Sequence, residues 1–179
     1  MSKWSAFRYR AGQVRYHLTA RDSDVLIPSE FQAMLCGVVA ERFRDLPPGD
    51  KQHLVTVATM LRDDGGSADL VTAGLIHDVG KSIPGVKVRV PDRVAKVVLD
   101  RLNPGKVASL ANQVTPPRFG RGLWVLCRHA QAGAELARVS GYSDRVVWLV
   151  ANHEHAEIDE PDLSALIAAD NSGFASAAG

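Results

Sequence analysis

Apolar residues recur along this chain with a helical rather than a strand period. In FQAMLCGVVAERF, Phe31, Met34, Leu35, Val38 and Val39 fall three and four apart, which predicts one helix after Ile27-Pro28-Ser29. Leu46-Pro47-Pro48-Gly49-Asp50 ends that helix and opens the next, where Leu54, Val57, Ala58 and Leu61 form an i, i+3, i+4, i+7 stripe. Asp64-Gly65-Gly66 stops it. Ser67 is placed to cap a helix over ADLVTAGLIHDVG, closing at Gly80. Residues 82–121 are the least regular. They carry Pro84, Pro91, Pro104, Pro116 and Pro117 and predict one helix, near 92–102. GLWVLCRHAQAGAELARV, SDRVVWLVANHEH and DLSALIAADNSG read as three more helices, separated by Gly141-Tyr142 and by Asp159-Glu160-Pro161. The small, polar tail from Gly173 is expected to fray. Sustained alternation is missing, so the expected fold is one all-α helical bundle with no sheet.

Composition narrows the class. The 179 residues suit one domain, and 46% apolar with 23% charged residues is ordinary globular usage, which excludes disorder and a disulfide scaffold. Cys36 and Cys127 are far apart and form no CxxC, so a reducing, cytoplasmic setting is expected. No apolar run approaches the roughly 18 residues of a membrane span. The first residues, MSKWSAFRYRAGQVRYH, lack the apolar core of a secretory signal and instead suggest an Arg-rich amphipathic helix packed on the domain.

Charge sharpens this. Twenty-one bases and 20 acids leave a net charge of +1, which excludes a protein basic or acidic throughout. The sum hides blocks. Residues 1–21 hold five bases and no acid, 22–81 five bases and ten acids, 82–128 nine bases and two acids, and 129–179 two bases and eight acids. The basic block runs from Lys87 to Arg128 and reads as a rim that attracts an anionic ligand, or as a solvated face. Its aromatics are only Phe119 and Trp124, which disfavours nucleic acid.

Candidate chemistry sits where apolar helical runs end. GLIHD presents His77-Asp78, LWVLCRH His129, WLVANH His153 and ALIAAD Asp170. His53 shares a helix face with Val57 and Met60. Imidazoles and carboxylates on such apolar helices imply burial, and an unpartnered buried carboxylate costs several kcal/mol. One or two divalent ions would satisfy the set, and His with carboxylate suits Fe, Mn, Ni, Co, Zn or Mg. His17, in the basic N-terminal segment, reads as structural or solvated. His155, two residues past His153 in an acidic patch, is expected to face away. No G-x-S-x-G elbow, P-loop or G-x-G-x-x-G occurs, and Cys127 lies too close to His129 in sequence for a Cys-His dyad on a helix.

His53, then Leu75-Ile76-His77-Asp78-Val79-Gly80-Lys81, then Asp170, resembles the HD superfamily of metal-dependent phosphohydrolases. Arg128-His129-Ala130 and Asn152-His153-Glu154 resemble the additional histidines of its binuclear members. The resemblance implies an HD-type helical bundle over 45–175, preceded by an N-terminal helical extension, 1–44, and followed by a flexible tail, 176–179. It implies that His53, His77, Asp78 and Asp170 hold one metal, with Asp78 bridging to a second held by His129 and His153. Asp78 and Lys81 would be catalytic, with Lys81 and Arg128 facing the phosphate. The implied reaction is hydrolysis of a nucleotide or small phosphoester by a metal-activated hydroxide. The alternative is a non-catalytic module that binds metal and a nucleotide or protein partner as a sensor. Two features depart from the family's variants. No Gly-Tyr-Pro follows the late histidines, which disfavours a cyclic dinucleotide phosphodiesterase, and Asn152 stands where binuclear members often carry His.

Overall fold

Local caps start several of the helices. The computed structural model describes residues 25–176. The N-terminal helix expected over 1–21, His17, and the last three residues of the tail lie outside the described residues. The helices are α1 (Ser29–Met34), α2 (Gly37–Asp45), α3 (Pro48–Asp63), α4 (Ala68–Ile76), α5 (Val90–Leu102), α6 (Pro104–Ala111), α7 (Arg121–Val139), α8 (Asp144–Asn152) and α9 (Pro161–Ser176), with a 3-10 turn at Val79–Lys81. Among the described residues there is no strand, so the chain is all-α. Pro48 and Pro104 sit in the first turns of α3 and α6, where a missing N–H costs nothing. The Ser67 hydroxyl accepts from Leu70 N–H at 3.2 Å to cap α4, and Ser143 caps α8 through Val146 N–H at the same distance.

The helix expected unbroken over 31–43 is two. Leu35 and Cys36 turn extended, and Gly37 takes φ +53°, a left-handed backbone that favours glycine. The break is fastened from far along the chain. The Tyr142 hydroxyl donates to the Met34 carbonyl at 2.8 Å and accepts from Cys36 N–H at 3.1 Å. Helix α6 is also additional to the sequence reading. Asn103 caps it, its side-chain oxygen accepting from Lys106 N–H at 3.0 Å.

Helices α3, α4, α8 and α9 pack on one another, and α7 lies across α8 and the 3-10 turn. Leu54, Val57, Leu75, Ile76, Leu149 and Leu163 are fully buried in one core, which Phe31, Val39 and Phe43 of α1 and α2 share. Helices α5 and α6 pack on α7 and on each other and contribute no fully buried residue. No described helix is long and apolar enough to cross a membrane.

Candidate metal centre

Five helices and the 3-10 turn deliver the polar residues of the interior. His53 lies mid-way along α3, His77 closes α4, Asp78 precedes the 3-10 turn, His129 lies within α7, His153 closes α8 and Asp170 lies in α9. All but Asp170 are buried. The four rings follow one another across the core. Their centroids are 5.5 Å apart for His53–His77, 5.0 Å for His77–His153 and 5.1 Å for His153–His129.

Three of the rings are oriented by the same device. Nδ1 of His77, His129 and His153 lies 2.9, 2.7 and 2.7 Å from the carbonyls of Gly74, Leu126 and Val150, each three residues earlier. A carbonyl only accepts, so each Nδ1 carries the proton, and a neutral ring then turns a bare lone pair at Nε2 into the cluster. His129 Nε2 and His153 Nε2 stand 3.2 Å apart. His77 Nε2 makes no hydrogen bond, although it is 3.5 Å from Asp170 Oδ1 and 3.7 Å from Asp78 Oδ2. The His53 Nε2 to Asp170 Oδ1 distance is 2.9 Å.

The two oxygens of Asp78 face different ways. Oδ1 is 3.2 Å from His129 Nε2 and 3.8 Å from His153 Nε2, whereas Oδ2 takes the Lys81 ammonium and looks towards His77. Burial alone would raise the Asp78 pKa, but Lys81, His77 and His129 together hold it well below the usual carboxylate range. Asp170 is likewise held low against burial by its hydrogen bond to His53 and by the His77 ring beside it. Burial depresses His77, yet Asp78 and Asp170 outweigh it, and its pKa is raised. Burial, with His77 and His129 beside it, pushes His153 down to about 4, so this ring is neutral at neutral pH. His53 is also lowered by burial, despite Asp170.

Ligand-type atoms of His53, His77 and Asp170 lie within 4.8 Å of one another, and so do those of His77, Asp78 and His153. Lone pairs converging on carboxylates repel unless a cation sits among them. The donor set therefore fits a divalent ion of borderline hardness.

A family model described as the HD domain matches residues 51–171. The chain belongs to the HD domain family. No curated protein and no solved structure matches it. Membership places this HD domain in a superfamily of metal-dependent phosphohydrolases. The HD dipeptide itself is His77-Asp78, and a glycine close by sets its position. A Cβ on Gly80 would collide with the His129 carbonyl and the Gly133 amide, so the 3-10 turn lies directly on the α7 backbone. The expected helix end at Gly80 is corrected accordingly. Helix α4 stops at Ile76, and Gly80 serves close approach rather than capping.

The remaining expected residues fall around this centre. Lys81 is tied to Asp78. The Arg128 guanidinium donates to Glu135 at 3.1 Å and to the Gln113 carbonyl at 3.3 Å. Asn152 bonds the Trp148 carbonyl of its own helix at 2.8 Å. His155 is on the surface, paired with Glu157 at 2.7 Å. Several cations of the basic block are matched by acids rather than free. Arg93 donates to both oxygens of buried Asp50 at 3.2 and 3.0 Å, and Lys96 reaches Glu154 and Asp100 at 3.1 Å. Sequence reasoning missed Asp50 and Glu154. Asp50 lies one turn before His53, and Glu154 Oε2 is 4.0 Å from His129 Nδ1. Their positions beside ligand-type residues were the available signal.

Proposed function

We propose that this chain is a metal-dependent phosphohydrolase acting on a small phosphoester. The observation that carries it is the convergence of three carbonyl-oriented imidazoles on Asp78, with His77 and His53 also meeting Asp170. In this reading His53, His77 and Asp170 hold one divalent ion. Asp78 would be shared by both sites, and His129 and His153 would complete the second. Bound there, such ions would supply Lewis-acid charge for phosphoryl oxygens and lower the pKa of water towards neutrality. The protein groups do the positioning. The three backbone carbonyls keep Nε2 of His77, His129 and His153 free to coordinate. Lys81 steadies Asp78 and lies close enough to meet a phosphate oxygen. Arg128 is a second candidate for the phosphate, in competition with Glu135. Residues 45–175 form the HD-type unit and 1–44 its extension, in a reducing, cytoplasmic setting that suits two unpaired cysteines.

The test is metal analysis with a generic assay. Protein purified and reconstituted anaerobically should carry one to two Fe or Mn ions per chain and hydrolyse p-nitrophenyl phosphate or its bis ester. Asp78→Ala should lose both metal and turnover. Lys81→Ala should keep the metal and lose roughly 10- to 100-fold in turnover. Wild-type protein that stays metal-free sinks the reading. Asn152, engaged with its own helix rather than the cluster, favours the sensor alternative, and tight phosphate binding without turnover would establish it.

A further inference from the structure

A groove of about 520 Å³ runs between the end of α2 with the start of α3 and the loop after the 3-10 turn. It adjoins the proposed metal centre on both walls. Asp50 lies one helical turn before His53, and Lys81 is tied to Asp78. A phosphoester at the centre would extend its alcohol portion here, and the volume suits a small ligand. The charges of the lining do not cancel locally. Its two acids have counter-ions outside it, Asp45 with Arg42 at 3.6 Å and Asp50 with Arg93 at 3.0 Å. Lys81 is matched by Asp78. Arg44 and Lys87 remain. Arg44 donates through Nε to the Ala40 carbonyl of its own helix, and among the described residues neither cation has a carboxylate partner. The rest of the lining is aliphatic, proline, glycine and serine, with no aromatic ring on which a base could stack.

Resting on the phosphohydrolase reading, we propose that the groove takes the non-aromatic alcohol part of a phosphoester that carries a second anionic group, which Arg44 and Lys87 receive. A nucleoside is the poorer fit. Calorimetric titration of the Mn2+-loaded protein tests this with inorganic phosphate, glycerol phosphate, phosphoglycerate, glycerol bisphosphate and adenosine monophosphate. Phosphoglycerate or the bisphosphate should bind about tenfold tighter than glycerol phosphate, each exposed cation contributing a few-fold. Which of the two leads distinguishes carboxylate from phosphate as the second anion. The double variant Arg44→Gln with Lys87→Gln, both surface positions, should erase that gap and leave inorganic phosphate unchanged. The inference is overturned by tightest binding of adenosine monophosphate, by no gap in the parent, or by a gap that survives in the double variant. Absence of phosphate binding altogether would remove the phosphohydrolase reading and this inference with it, whereas phosphate binding without a gap removes this inference alone.

Discussion

At the residue scale, the unusual feature is how few groups set the protonation of many. Asp78 is the pivot, because one oxygen meets Lys81 and looks towards His77 while the other meets His129. The raised pKa of His77 follows from it. Burial opposes the charged ring, and the Asp78 carboxylate is the strongest influence against burial. Removing that charge while keeping the shape should let burial act with less resistance. In metal-free Asp78→Asn protein, the His77 imidazole should therefore titrate at lower pH than in the parent, as read by NMR of the ring protons. A pKa that stays or rises would show that Asp170 alone governs His77. The direction matters for loading. A raised pKa keeps a proton on the apo His77 ring to higher pH, so a metal must displace that proton, whereas His153, held at about 4, offers its lone pair freely at neutral pH.

At the element scale, the centre depends on backbone contact between the 3-10 turn and α7. Gly80 and Gly133 face each other there, with Gly133 also near the Val150 side chain and the His77 carbonyl. Because the obstacles to a Cβ on Gly80 are main-chain atoms, no rotamer change relieves them. Gly80→Ala should push the turn off α7, costing about 1–3 kcal/mol as overpacking, and separate Asp78 from His129. Denaturant melts should show the loss, and metal analysis should show fewer ions per chain. Unchanged stability with full loading would mean that the turn shifts without cost. This contact also marks where sequence reading runs out. Apolar periodicity and capping residues made most helices legible, and six ligand-type positions in or just after apolar helical runs stood out because buried charge demands a partner, although only His77, Asp78 and His153 lie at helix ends. The break at Leu35-Cys36 was not, because its periodicity continues and its fastening, Tyr142, lies 106 residues from Cys36. Helix α6 is eight residues, too short for a sustained apolar period and with no buried residue, and only Asn103-Pro104 announced it. The basic block read as a rim or a solvated face because the partners of Arg93 and Lys96, Asp50 and Glu154, come from other elements.

At the scale of the whole molecule, the proposed centre gathers side chains from position 53 to position 170, and the elements that bear them are also the packed core. The apo cluster is correspondingly costly. It crowds imidazole lone pairs and two carboxylates in an interior where hydration is lost. An ion bound only by the assembled site therefore stabilises the entire fold rather than one helix. Linkage sets the size. At free metal 100-fold above its dissociation constant the gain is about 2.7 kcal/mol, which for a chain of this length is a rise of roughly 5–10 °C in Tm. Chelator should lower Tm by that amount and added Mn2+ should restore it. Asp78→Ala, lacking that carboxylate, should melt at the same temperature with and without metal. The comparison discriminates between a site that holds the ion inside the core and adventitious surface binding, because surface ions would shift parent and variant alike. The same scan tests whether the extension belongs to this cooperative unit. Phe31, Val39 and Phe43 lie in the core that the ligand-bearing helices share, so Phe43→Ala, at about 3–5 kcal/mol, should lower the metal-bound and metal-free transitions together. A Phe43→Ala variant that moved only one of them would separate α2 from the metal-binding unit.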